Sequence, residues 1–222
     1  NVKLIRTRIP NKLLNSSLSL FRWPKIDQWL SKKIGKTIDL LWVPDPRPAP
    51  VSRACKKLIT FHDLSFENFK YAFNFKTRLW HKLLRPKKEA LEADGILAVT
   101  ESTKQQLIQE YPISEAKIEV ILEAASEKLK PMNMPRSFEI LARKYYLPSP
   151  YFLCLSTLEP RKNIKGIMEA YVEWQNETAA EVYLVIAGKS YPDIFSELNI
   201  QNHPKVYFTG FVDEEDKALL YQ

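Results

Sequence analysis

The sequence has few of the residues on which several classes of functional site depend. Its 222 residues include two cysteines, three histidines and five glycines. Two cysteines do not suffice for a disulfide scaffold or a thiolate metal site, and no glycine cluster is present that could cradle phosphates. No apolar stretch approaches the length of a membrane span. These absences favour a globular protein of a reducing compartment, and we expect it in the cytoplasm.

The residues that are present predict a folded chain with unevenly distributed charge. Hydrophobic residues make up 45% and charged residues 27%, so the chain can bury a core. The formal net charge is +7, with 24 Lys and Arg against 14 Asp and Glu up to residue 130 and 9 against 12 after it. A basic first half can meet nucleic acid, an anionic membrane surface or a phosphorylated substrate, although a charge excess also serves solubility alone.

Short apolar runs alternate with helical patterns along the chain. Most runs are apolar throughout, as expected for parallel strands covered by helices on both faces. The predicted strands are 2–5, 38–43, 57–61, 95–99, 118–122, 151–156, 182–187 and 205–210. Ser102 with Gln105 predicts a capping box, and Asn163 is the predicted N-cap of the helix that follows it.

A domain boundary is predicted at 128–137, where Pro131 and Pro135 interrupt a polar stretch between two alternating patterns. We therefore expect two doubly wound parallel-sheet domains of the Rossmann type, 1–130 and 131–222. Ligands of such folds bind at the carboxyl ends of the strands, so we expect the site in the cleft between the domains.

The segment 156–163, STLEPRKN, joins a predicted strand to a predicted helix. The N-terminus of a helix presents unsatisfied N–H groups that favour an anion, and Arg161 and Lys162 add two positive charges there. A diphosphate suits such a site, because Arg offers a bidentate fork and Lys a point charge. Spacing alone leaves a second interpretation open, a solvated turn.

Five segments together resemble one enzyme family. They are TFHDLSFE at 60–67, the run at 77–107, LSTLEPRKNI at 155–164, LVIAGK at 184–189 and VYFTGFVDEEDKALLY at 206–221. In this order they resemble the group 1 glycosyltransferases, the retaining nucleotide-sugar family 4 with the GT-B fold. The resemblance implies an enzyme that transfers a hexose to a saccharide or glycolipid acceptor in polysaccharide biosynthesis.

The resemblance also implies catalytic roles. Arg161 and Lys162 match the residues that bind the donor diphosphate, where they would stabilise the departing nucleotide in place of a metal. No metal and no cofactor is then expected, the UDP- or GDP-type sugar donor being a substrate. His62 matches a residue that contacts the donor sugar, although a histidine at a strand end is as often a structural hydrogen-bonding group. Asp63 is expected to cap the turn.

The segment 210–217 resembles the place where the family holds the nucleotide base. Val212 would offer backbone contacts, and Glu214 and Lys217 match base-contacting positions, although Glu214 also fits an ordinary acidic helix start. Many members carry Gly-Arg where this chain has Ser156 and Thr157, so the Thr157 hydroxyl would replace a phosphate ligand. A second departure is Glu-Ala-Ala at 123–125, where the family often has Asn-Gly.

A basic segment at 75–91 has two interpretations. Phe75, Leu79 and Leu83 follow helical spacing among six cations, and Pro86 would end or kink the helix. Such a helix can lie on an anionic membrane with Trp80 at the interface, so peripheral contact at the inner face of the membrane is one expectation. The other is an apolar stripe packed in the core beneath solvated charges.

Two rival functions remain open, a GT-B relative such as a sugar-nucleotide epimerase and a basic nucleic-acid-binding module. The second lacks an RNP pattern, zinc ligands or an evident recognition helix. Full family members carry a glycine-containing loop near the start and two glutamates near the end that these 222 residues lack. We therefore expect that this chain alone does not transfer sugar.

Overall fold

The computed structural model describes residues 4–69, 75–125, 135–189 and 203–221. The chain divides into two units, Asn1–Ala124 and Ala125–Gln222. The boundary segment predicted at 128–137 lies largely outside the described residues. Each unit is built on one parallel sheet, which confirms the predicted fold class.

The described residues of the first unit form four parallel strands in the order β1-β2-β3-β4. The strands are β1 (Leu40–Val43), β2 (Lys56–Phe61), β3 (Gly95–Ala98) and β4 (Ile118–Val120). The described helices are α1 (Asn11–Leu20), α2 (Ile26–Ile34), α3 (Ser65–Asn68), α4 (Phe75–Leu84), α5 (Pro86–Glu92) and α6 (Glu101–Glu110). The sequence patterns made no prediction for α1 and α2.

Strand β2 lies inside the first sheet and supplies much of its core. Ile59 aligns with Val43 of β1 and Ile96 of β3, and both Ile59 and Phe61 have no solvent exposure. Their cluster includes Leu107 of α6, so the helix after β3 covers the sheet. Burial of such side chains is the main source of stability here.

Where the structure describes it, the second unit has three parallel strands in the order β5-β6-β7. They are β5 (Tyr151–Leu155), β6 (Tyr183–Ala187) and β7 (Val206–Gly210), with helices α7 (Pro135–Tyr145), α8 (Ile164–Thr178) and α9 (Lys217–Leu220). Alternate residues of β6 serve two cores. Leu184 and Ile186 pack in one cluster with Met168 of α8, whereas Ala187 packs in another with Leu141 of α7. Both faces of the central strand are therefore covered, as its uniformly apolar sequence predicts.

Two local predictions were wrong. Leu4 and Ile5 belong to no strand, and the rest of the predicted strand 2–5 lies outside the described residues. Helix α6 is capped by Thr100 rather than Ser102, because the chain is still extended at Thr100 and its hydroxyl accepts from the Thr103 N–H at 3.0 Å. None of the helices in the described part of the chain combines the length and the apolar content that crossing a bilayer requires.

Candidate functional site

Backbone hydrogen bonds join the carboxyl ends of the three strands of the second sheet. The Ser156 N–H donates to the Ala187 carbonyl at 2.9 Å, and the Gly188 N–H donates to the Gly210 carbonyl at 2.8 Å. Gly188 has φ +152°, and a Cβ at this position would lie 1.8 Å from the Ser156 carbonyl oxygen. Only glycine fits there, so the loops that follow β5 and β7 leave the sheet from closely held points.

The segment 156–163 is anchored by its one apolar side chain. Leu158 is buried in the cluster that contains Ile164 of α8, and its N–H donates to the Lys189 carbonyl at 3.1 Å. A 3-10 turn, Pro160–Lys162, then leads to Asn163, whose left-handed backbone (φ 49°, ψ 43°) precedes the helix. The Asn163 side chain accepts from the Gly166 N–H at 3.3 Å, so the predicted N-cap is confirmed.

The two cations of this segment are exposed at the start of α8. Arg161 donates through Nε to Glu159 Oε2 at 2.7 Å, and its Nη1 and Nη2 make no hydrogen bond or ion pair within the described residues. Lys162 has no carboxylate partner in that same part of the chain. A helix N-terminus with an oriented guanidinium fork and an unpaired ammonium suits an anion such as a diphosphate. Thr157 lies half-buried just after β5.

The segment after β7 contains the three residues predicted to meet a base. Val212 is 2% exposed and packs with Leu141 and Ala187, so its side chain serves the core and only its backbone is left for a ligand. Glu214 is strongly exposed, and its carboxylate contacts the ammonium of Lys217, the first residue of α9. A turn at 214–216 precedes this short helix.

Helix α7 holds this turn through an ion-pair network. Lys144 Nζ lies 2.7 Å from Asp213 Oδ2 and 2.6 Å from Asp216 Oδ2, and the Tyr145 hydroxyl donates to Asp216 at 2.8 Å. The hydrogen bonds from Lys144 to Asp213 and then Asp216 raise the pKa of Lys144, and the Lys144 bond lowers the pKa of Asp216. No sequence pattern indicated these contacts, because the partners are far apart in the chain.

His62 lies in the first unit, directly after β2. Its Nε2 is 3.0 Å from the Pro44 carbonyl oxygen, and its Nδ1 is 2.9 Å from Glu123 Oε1. The imidazole is half exposed, so one face remains open to a ligand. Asp63 accepts from the Ser65 N–H at 2.9 Å, which confirms that it caps the turn.

The structure therefore distributes the predicted residues over two places. Six lie in the segments that follow β5 and β7 of the second sheet, five of them before the next helix and Lys217 at the start of α9: Thr157, Arg161, Lys162, Val212, Glu214 and Lys217. His62 belongs to the first unit, where Pro44 directly follows β1, the neighbour of β2, and Glu123 lies in the segment after β4. Sequence reasoning noted Glu123 only as a departure from the family pattern. Within the described ranges, no group of three or more His, Cys, Asp or Glu side chains is placed to hold a metal ion.

Two parallel α/β units, one with basic residues at a helix N-terminus beside its strand ends, define a Rossmann-like class of nucleotide-binding fold. Comparison with known proteins narrows this class to a family. Residues 1–123 match the model of Glycosyltransferase Family 4, and residues 139–222 match that of Glycosyl transferases group 1. The chain belongs to this glycosyltransferase family, which confirms the resemblance seen in its motifs.

Curated relatives in Escherichia coli share part of this sequence. The serotype-specific mannosyltransferase WbdA is 28% identical over 155 residues, which are 67% of this chain and 18% of WbdA. The O-antigen chain mannosyltransferase B is 26% identical over 172 residues, which are 75% of this chain and 44% of that protein. The chain thus spans less than half the length of either relative.

Solved structures show the same fold at lower identity. A glycosyltransferase from Rickettsia africae matches 99% of this chain and 56% of its own, with a TM-score of 0.56 and 20% identity. HepE from Anabaena, in complex with UDP and glucose, matches 91% of this chain and 55% of its own, with a TM-score of 0.59 and 17% identity. These likenesses confirm the GT-B fold class.

Proposed function

We propose that this chain forms part of a glycosyltransferase that moves a hexose from a nucleoside diphosphate sugar to a saccharide or glycolipid acceptor. The observation that carries the proposal is the position of Arg161 and Lys162 beside the capped N-terminus of α8, in a chain of this family. Two relatives are named mannosyltransferases, one of them acting on the O-antigen chain, which favours mannose as the sugar and a polysaccharide as the product.

The proposed donor site divides the nucleotide between the two loops of the second unit. The Arg161 fork and the Lys162 ammonium bind the diphosphate, and the Thr157 hydroxyl donates to it from the end of β5. The base lies against the backbone of Val212, with Glu214 and Lys217 at its edge. Glu214 and Lys217 form an ion pair with each other. To bind the base, this pair must either separate or reorient as a unit toward the ligand.

In the proposed chemistry, positively charged groups of the protein stabilise the leaving diphosphate. As the bond between the sugar and the diphosphate breaks, negative charge grows on the phosphate oxygens, where Arg161, Lys162 and the α8 dipole stabilise it. This arrangement supplies the electrostatic role of a metal ion, so we propose metal-independent transfer. We also propose retention of configuration, with the acceptor attacking from the face that the diphosphate leaves and passing its proton to a phosphate oxygen. His62 contacts the donor sugar in this scheme.

The donor site is tested by calorimetric titration of the chain with UDP, GDP and ADP. The matched pair of variants is Arg161→Ala/Lys162→Ala and Arg143→Ala/Lys165→Ala, which remove the same charges from the same unit. Because charge-assisted hydrogen bonds contribute about 1.5–3 kcal/mol each, the first variant is expected to lose affinity on the order of 100-fold or more. The second is expected to bind like the unchanged chain. Equal loss in both variants, or no binding of any nucleotide to the folded chain, would overturn the proposed site.

Transfer itself is tested by product analysis. A nucleotide-linked mannose and a saccharide acceptor are incubated with the whole glycosyltransferase of which this chain is proposed to form part, because the chain alone is expected not to transfer sugar. The anomeric configuration of the product is read by NMR. Retained configuration and undiminished activity in the presence of EDTA are expected. An inverted product contradicts retention, and loss of activity in EDTA contradicts metal independence. Conversion of the donor without any acceptor would favour an epimerase instead.

A further inference from the structure

Helices α4 and α5 carry large apolar side chains on the outside of the first unit. Phe75 is 75% exposed and Leu79 is 58% exposed, and Leu91 of α5 is 43% exposed. The interpretation of this stripe as core is therefore wrong for its first two members. Trp80 and Leu83 are among the half-buried residues of α4, so Trp80 is less exposed than Phe75 and Leu79.

Cations share the exposed face of α4 with these apolar groups. Phe75, Arg78, Leu79 and Lys82 follow the i, i+3, i+4, i+7 spacing of one helix face, and all four are exposed. In the described part of the chain, neither Arg78 nor Lys82 has a carboxylate partner. Apolar and cationic side chains therefore alternate along this one face of the helix, rather than lying on opposite faces.

A groove of about 910 Å³ continues this face between α3, α4 and α5. The backbone of Arg85 is left-handed (φ 52°) ahead of Pro86, so the helix breaks there as the sequence predicts, and α5 begins the far wall of the groove. The His81 ring stacks on Phe66 at 5.4 Å between centroids, and burial lowers the pKa of this histidine. The groove therefore has an apolar floor, and its rim carries Arg78, Lys82, Arg85, Lys87 and Lys88.

The carboxylates near this surface are already engaged. Glu67 accepts from the Tyr111 hydroxyl at 3.1 Å, and Glu89 is buried against Lys57 at 2.9 Å. Glu92 contacts Lys88 at 3.7 Å. The exposed charge on this side of the unit is thus almost entirely positive, and it lies beside apolar groups rather than apart from them.

We propose that the α4–α5 surface, formed by Phe75, Leu79 and Leu91 with Arg78, Lys82, Lys87 and Lys88, docks on an anionic lipid bilayer. The apolar side chains enter the boundary between headgroups and acyl chains, and the cations bind the lipid phosphates around them. A nucleic acid would leave Leu79 and Leu91 in water. An apolar protein surface would desolvate Arg78 and Lys82, which have no carboxylate partner among the described residues, at a large cost. Only an interface that is anionic outside and apolar beneath satisfies both sets of side chains.

The end of α1 extends this surface. The Ser19 hydroxyl donates to the Leu83 carbonyl, and Arg85 donates to the Ser19 carbonyl at 3.5 Å, so the two helix ends adjoin. Leu20 and Phe21 follow at once and are 49% and 76% exposed. These two side chains lie next to the cationic rim, and a surface that binds the boundary of a lipid bilayer needs apolar groups beside its cations. The proposal is independent of the donor site, which lies in the other unit.

The test is sedimentation of the chain with vesicles of phosphatidylcholine, with and without phosphatidylglycerol. Binding is expected only with the anionic lipid and is expected to weaken as salt is added, because the cations are exposed to screening. Arg78→Gln/Lys82→Gln should lower the affinity about 10- to 30-fold, and Phe75→Ser/Leu79→Ser at least about tenfold. The control Lys32→Gln/Lys36→Gln removes two exposed charges of the same unit and should change the affinity much less.

Several results would overturn the proposal. They are absence of binding to either vesicle, equal binding to both, and an equal loss in the Lys32→Gln/Lys36→Gln control. Concentration-dependent self-association that Phe75→Ser/Leu79→Ser abolishes, without vesicle binding, would show that a second copy covers the surface. Because the substituted side chains are exposed, the variants are expected to fold, which circular dichroism checks. Nucleotide affinity should be the same in all of these variants. A failure of the membrane-docking proposal can therefore be distinguished from a failure of the proposed donor site.

Discussion

The imidazole of His62 lies between two hydrogen-bond acceptors, the Pro44 carbonyl at its Nε2 and the Glu123 carboxylate at its Nδ1. A neutral imidazole carries one N–H and can donate to only one of them, whereas the doubly protonated ring can donate to both. The two contacts hold the ring from both of its nitrogens and so fix its orientation.

If His62 contacts the donor sugar as proposed, Glu123→Ala should reduce sugar transfer about tenfold, because the ring loses one of its two anchors. Both side chains are more than half exposed, so the unfolding temperature should hardly change. The control is Glu119→Ala, which removes an exposed carboxylate from β4, the strand that precedes Glu123 in the chain. Equal activity of the Glu123→Ala variant and the unchanged enzyme would show that the contact does not position His62.

Gly188→Ala should destabilise the second unit by about 3 kcal/mol or more, because its Cβ would collide with the Ser156 carbonyl. Gly210→Ala is the matched change, since a Cβ there meets nothing within 4 Å and only the positive φ of 74° opposes it. Its expected cost is about 1 kcal/mol. Urea unfolding measures both, and equal effects would show that the close approach of the strand ends does not matter.

Glu89→Ala should destabilise the first unit by about 3–5 kcal/mol, because it leaves the ammonium of Lys57 buried without its partner. Both side chains of this pair are 1% exposed, and Arg22 also contacts Glu89. Glu92→Ala, one turn further along the helix, removes a carboxylate that is 38% exposed and should cost about 1 kcal/mol or less. Thermal unfolding distinguishes the two, and a small effect of Glu89→Ala would contradict the structure of this network.

Acid should weaken the attachment of α7 to the turn after β7. The hydrogen bond from Lys144 lowers the pKa of Asp216 below its ordinary value of 3.8 in the folded protein. The resulting stability is present above that ordinary pKa and is lost as the pH falls through the lower, folded value. We therefore compare unfolding temperatures at pH 5 and at about pH 2–3. The unfolding temperature of the unchanged chain should fall more over this interval than that of the Asp216→Asn variant.

The difference is expected to be at most a few degrees, since solvent screens the partly exposed partners. Glu214→Gln serves as the control, because that carboxylate is exposed and lies outside the Lys144 network. Parallel curves for all three proteins would contradict the prediction.

Much of the fold could be predicted because the signal is local. The run at 182–187 is apolar at every position, and its strand is central and covered on both faces. The run at 2–5 is shorter and apolar at three of its four positions, yet Leu4 and Ile5 form no strand, since pairing depends on neighbours that composition does not reveal. The α6 cap was misplaced by two residues for a similar reason, because Ser102 and Thr100 are both good caps and the path of the chain out of β3 selects between them.

The sequence by itself determined the parallel α/β class, the family and the place of Arg161 and Lys162, because a strand, a turn and a helix start are contiguous in the chain. The tertiary structure alone decided which groups surround His62, how Lys144 holds the turn after β7, and that Phe75 and Leu79 face outward. Each of these depends on side chains that are distant in sequence and are brought together, or left uncovered, only when the helices pack on the sheets.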